Sequence, residues 1–163
     1  MRSQGLVLST DAVPAGKISR WEWYVYEGSS GTFNNFKLRC CHTNLTALTN
    51  DFANNYAGNT PVEVYSRSAQ YIAGTISAWF GFDFDTAFNY DGKNNLIMEV
   101  EWNTDTGGYS YCRADSVTAR FVHSSNGGWP YVSNYLHYQR ITITPTGMAV
   151  APTSLGRVKS LFQ

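Results

Sequence analysis

Carboxylates, imidazoles and thiols are the groups in this chain that could do chemistry. Glu99 and Glu101 stand two apart in the run LIMEVEW, so in an extended segment both carboxylates leave one face, as a pair serving a glycosidase must. A solvated sheet face, or charge pairs to a neighbouring strand, explains the same spacing without catalysis. His42, His123 and His137 are the candidate bases, but no GxSxG, HExxH, Walker or GxGxxG spacing accompanies them. The expectation is a protein without catalytic residues, not an enzyme, and with no cofactor.

Cys40, Cys41 and Cys112 carry no paired CxxC spacing, and the histidines lie far from them in sequence, which argues against zinc. A vicinal pair bridges itself only under strain, so an exported chain is expected to join Cys112 to Cys40 or Cys41. The alternative is three reduced, largely buried thiols. Asp83, Asp85 and Asp91, with Asn89, Asn94 and Asn95, offer oxygen ligands of the kind Ca²⁺ takes, yet they miss the EF-hand spacing. Ordinary turn chemistry accounts for Asp91-Gly92 equally well, and no metal is expected. Asn44-Leu45-Thr46 is an N-glycosylation sequon.

The candidate ligand-binding residues are aromatics beside glycines: Tyr109 and Tyr111 after Gly107-Gly108, and Trp129, Tyr131 and Tyr135 around Gly127-Gly128. A flat ring with a polar rim is a platform for a sugar, although such rings also serve as lids on a sandwich end.

The elements that must position these residues are strands. Phe80, Phe82 and Phe84 alternate with polar residues, as do Leu96, Met98, Val100 and Trp102, which predicts two half-buried strands joined as a hairpin through Asp91-Gly92, central to its sheet. Further strands are expected at 6–8, 18–26, 36–41, 62–65, 109–113, 119–123 and 135–144, with Cys40 facing the core and Cys41 away from it. Residues 43–59 change period and read as a loop with one helical turn. Eight or nine short strands suit an all-β, two-sheet antiparallel β-sandwich over residues 1–144. After Thr144 two prolines and two glycines mark residues 145–163 as a linker and C-terminal tail.

Twelve basic and twelve acidic residues cancel, which disfavours nucleic acid as a partner, and no apolar run is long enough for a membrane helix. Charged residues make up only 15 % of the chain, a balance that suits an extracellular or cell-surface protein.

The runs AGKISRWEWYV, FKLRCCHTNLTAL, VEVYS, DFDTAFNYDGKNNLIMEVEW, YLHYQRITIT and VAPTSLGRVKSLF, with Phe88, Tyr90, Asp91, Gly92, Asn95 and Leu96 the most specific piece, cover nearly the whole chain. Together they resemble an uncharacterised family of secreted and cell-surface β-sandwich domains of Bacteroidetes-like and candidate-phylum bacteria. The resemblance implies a jelly-roll-like fold and an extracellular setting, and brings no catalytic residues. The expected function is that of a non-catalytic structural subunit of a surface assembly or filament, self-associating through its terminal segments, Gly5–Leu8 and Met148–Phe162, by strand addition. The alternative is a carbohydrate-binding module that holds polysaccharide on its loop aromatics.

Overall fold

The computed structural model describes residues 1–11, 13–28, 30–107, 111–124 and 128–146, with Tyr111 described by its backbone alone. The described residues hold eleven strands: β1 (Arg2–Val7), β2 (Gly16–Glu27), β3 (Ser30–Thr43), β4 (Val62–Ala73), β5 (Trp79–Tyr90), β6 (Asn95–Glu101), β7 (Thr104–Gly107), β8 (Tyr111–Cys112), β9 (Ala114–Ser124), β10 (Tyr131–His137) and β11 (Gln139–Pro145). They form an all-β sandwich of two antiparallel sheets. The larger has the order β10-β9-β1-β6-β3-β4 with β7 also on β3; the smaller has the order β11-β2-β5 with β8 also on β2.

Alternation explains the inner layer. Trp21, Trp23, Phe82, Ile141 and Ile143 of the small sheet pack on Phe33, Phe36, Leu38, Cys40, Leu96 and Met98 of the large one. The strand registers place the β2–β3, β4–β5 and β9–β10 connections at one end of the sandwich and the β1–β2, β3–β4 and β5–β6 connections at the other.

Four expectations are corrected. The Phe80 to Trp102 segment is not a hairpin, because β5 pairs with β2 in the small sheet while β6 pairs with β1 and β3 in the large one. Its turn crosses between sheets, so its two apolar faces look at each other, a geometry with the same alternation as a hairpin. Nor is the segment wholly central: β5 is an edge strand, and β6 lies inside its sheet. The run 135–144 is two strands, since β10 lies in the large sheet and β11 in the small one, and the chain passes between them at Tyr138. There Tyr24 N donates to Tyr138 O and Tyr138 N donates to Arg113 O, so the passage costs no unpaired backbone group at Tyr138. Finally, the N-terminal segment is not free to join a neighbour, because β1 lies between β6 and β9 in its own sheet. The tail expected at 145–163 lies outside the described residues beyond Thr146; Pro145 itself ends β11 opposite Gly16.

Candidate binding site between the sheets

An apolar cavity of ≈ 180 Å³ opens between the sheets. Trp21, Trp23, Phe80 and Phe82 line it from the small sheet, and Phe36, Met98 and Phe121 from the large one. Its origin is local. β1 runs through the middle of the large sheet, and its inward positions there are Ser3 and Gly5, opposite Val100 and Met98 on one side and His123 and Phe121 on the other. Two small residues where a packed core calls for branched or aromatic ones leave a hole. The polar groups in the lining are few: Trp21 Nε1 donates to Gln139 Oε1 at 3.0 Å, and His137 and Ser3 also contribute. Burial, and secondarily the neighbouring His123, hold His137 down to about 4, so at neutral pH its imidazole is uncharged.

From this cavity a row of rings reaches the surface. Phe121 lies 4.6 Å from His137 and 5.7 Å from His123, centroid to centroid, and His123 lies 5.7 Å from Tyr131. Tyr131 is 61 % exposed and Trp129, just before it, 94 %. The same end of the sandwich carries the exposed Tyr26 and Ile76. Of the sequence-predicted aromatics, the structure therefore brings Trp129 and Tyr131 to one rim. Tyr135 is exposed farther along β10, past a bulge between Ser133 and Tyr135. Tyr109 lies outside the described residues, and of Tyr111 the structure gives only the backbone, which pairs with Glu27. The cavity itself escaped sequence reasoning. Gly5 and Ser3 in RSQGLVL are its signal, legible only once β1 is known to be an inner strand.

Glu99 and Glu101 do leave one face, but it is not solvated at Glu99. The β3–β4 connection folds over the outer face of the large sheet, with a 3-10 turn at Asn54–Tyr56, and Glu99 is 0 % exposed beneath it. Its Oε1 accepts from Arg39 at 2.5 Å; its Oε2 accepts from Gln4 Nε2 at 2.7 Å and Tyr56 OH at 2.5 Å and faces Arg2 at 2.9 Å. Burial first, and then the bond to Glu99, push the Tyr56 hydroxyl up to about 12. Arg39 also reaches Glu101 at 2.5 Å, so the cross-strand pairing expected of this face is present. With both Glu99 oxygens taken by donors, the cluster clamps the connection onto the sheet.

The three thiols are free, which corrects the expected bridge from Cys112 to Cys40 or Cys41. Cys40 faces between the sheets opposite Met98, toward the β5–β6 end, whereas Cys112 pairs with Val25 toward the other end. Cys41 points to the outer face, among Leu6, Leu48, Phe52, Ile97 and Val122, with the large sheet between it and Cys112. Burial pushes the Cys41 and Cys112 thiols up to about 11 and raises Cys40 as well.

The aspartates do not gather as the sequence suggested. Asp83 pairs with Arg20 at 2.9 Å and Asp85 with Arg67 at 2.6 Å on β5, while Asp91 stands beyond its end. β5 bulges between them, since Asp83 lies opposite Arg20 and Tyr90 opposite Gly16, so four residues of β2, roughly 13 Å, separate Asp83 from the end of the strand that Asp91 follows. Asp91 accepts from the backbone N–H groups of Lys93 and Asn94 at 2.9 Å, ordinary turn bonds that outweigh burial and hold its carboxyl down at about 2. Among the described residues no group of three or more His, Cys, Asp or Glu could hold a metal ion, and no helix is long and apolar enough to cross a membrane. Asn44 of the sequon is exposed at the start of the β3–β4 connection.

The fold and site thus define an all-β sandwich with an aromatic-lined cavity near one end. No family model matches the chain, and neither a curated protein nor a solved structure does.

Proposed function

We propose that this chain is a non-catalytic extracellular β-sandwich that works by binding, and that carbohydrate is what its aromatic end holds. The observation that supports this reading is the gathering of exposed Trp129 and Tyr131 at one rim, on the same end as Tyr26 and Ile76. Sugar rings present C–H faces that stack on flat aromatics, and polar groups around such a ring bind their hydroxyls by hydrogen bonds. A net charge of zero suits a neutral polysaccharide. The extracellular setting rests on the low charge content and on the resemblance to secreted bacterial domains. Retardation of the native protein in gels containing neutral glucans, mannans, galactans or soluble chitin derivatives tests the proposal. Binding to one of them that is lost in Trp129→Ala supports it; no retardation in any gel, or equal retardation of the variant, overturns it.

A second reading, a structural subunit of a surface assembly or filament, draws on the large sheet's edges. β4 and β10 are edge strands, and each offers backbone groups to which an extended segment of a neighbour could pair. With β1 held inside its own sheet, the donor in this reading is the C-terminal segment alone. Sedimentation of the full chain against one lacking residues 148–163 tests it. Concentration-dependent assembly that disappears on deletion supports the subunit role, and monomers in both cases exclude it.

A further inference from the structure

We propose that the cavity between the sheets is a specific site for one small, uncharged aromatic molecule bearing a single polar group, of the size of a phenol. This goes beyond the carbohydrate reading, which concerns the outer rim, and does not depend on it.

Size sets the first limit. An apolar cavity of about 150 Å³ in a protein core takes up benzene, and this one measures ≈ 180 Å³, room for one ring and a small substituent. The walls set the second. Trp21, Trp23, Phe80 and Phe82 on one side and Phe36 and Phe121 on the other offer both faces and edges of rings, the partners an aromatic guest prefers. Charge sets the third. None of the lining residues is Asp, Glu, Lys or Arg, so a carboxylate or ammonium entering the cavity would lose its water without gaining a counter-ion. One polar group is provided for: the bond from Trp21 commits the Gln139 carboxamide oxygen, which leaves the Nε2 donor for a hydroxyl or carbonyl oxygen.

Gly5 ties the cavity to function rather than to backbone need. Among the described residues the positive-φ glycines are Gly58, Gly92 and Gly107, and Gly5 is not one of them. A Cβ at Gly5 would meet Leu136 Cδ1 at 3.4 Å, an ordinary contact, with Gln139 Nε2 at 3.8 Å. A Cβ is therefore tolerated there and would narrow the space, which glycine leaves open.

The test uses the full chain and p-cresol as the probe, with 4-methylbenzoate as the charged counterpart of equal shape. Thermal unfolding and ligand-observed NMR should show saturable binding of p-cresol, with a midpoint that rises with its concentration, and no such effect of 4-methylbenzoate. Folded Gly5→Leu should bind p-cresol about tenfold or more weakly than the parent. Ser3→Leu fills the same space from the next inward position and is the second variant should the first not fold. The proposal is overturned if p-cresol gives no saturable effect, if 4-methylbenzoate binds as well, or if a folded filling variant binds p-cresol undiminished. It is equally overturned if p-cresol binds only when Leu161 and Phe162 are replaced by Ser, because the cavity would then belong to the chain's own end.

Discussion

At the scale of single residues, Phe82 shows how packing is shared. Its ring lies 4.9 Å from Tyr65, 5.1 Å from Phe36, 5.2 Å from Phe80 and 6.2 Å from Trp23, so it ties both sheets together. Phe82→Ala should lower the free energy of unfolding by roughly 3 to 5 kcal/mol in urea titrations, and an unchanged midpoint would refute its place in the core. Glu99→Gln leaves the guanidinium groups of Arg2 and Arg39 short of their buried counter-charge and should cost on the order of 3 kcal/mol. Glu101→Gln, at a half-exposed position, should cost under about 1 kcal/mol by the same assay, and equal losses would contradict the buried clamp.

His137 carries the pH dependence. Its folded-state value of about 4 lies below the ordinary 6.5, so between those values the unfolded chain binds the extra proton. Stability is therefore undiminished by this group above pH 6.5, falls as pH drops through the window, and falls no further on its account below about 4. The slope should approach about 1.4 kcal/mol per pH unit within the window. His137→Phe should flatten it, as urea midpoints measured at a series of pH values will show.

At the scale of elements, the alternation of Trp21, Glu22 and Trp23 in β2 and of Met98, Glu99, Val100 and Glu101 in β6 was legible, because the apolar side chains of each strand pack between the sheets while its carboxylates pair with arginines on the other face. Partnership was not. A run such as YLHYQRITIT has no proline or glycine to announce that it leaves one sheet for another at Tyr138, and the backbone bonds to Tyr24 and Arg113 that allow it come from elements far away in sequence. β1 begins earlier than the expected 6–8, because Arg2 and Gln4 occupy outward positions covered by the β3–β4 connection, where Gln4 is buried and bonded to Glu99. Since β1 is an inner strand, a chain lacking residues 1–7 should fail to unfold cooperatively. A truncated chain with a sharp thermal transition like the parent's would contradict this placement.

At the scale of the whole molecule, the placement of the cysteines on different faces and at different ends decides their redox state. Denatured, unreduced protein should show three alkylatable thiols by mass spectrometry, whereas the native protein should resist alkylation near pH 8, since burial holds Cys41 and Cys112 up to about 11 and raises Cys40 too. A single reactive thiol after denaturation would restore the bridge. The sequence by itself determined that this is an all-β protein of two antiparallel sheets, because period-two alternation and turn residues are local properties of neighbouring positions. It also placed Cys40 inward and Cys41 outward for the same reason. Only the tertiary structure decided which strands pair, that β5 and β6 face each other across the core, that Glu99 is buried, and that Ser3 and Gly5 leave a cavity. Those outcomes depend on what covers each face, and a residue's neighbours in space are set by chain closure over long separations that no local pattern records.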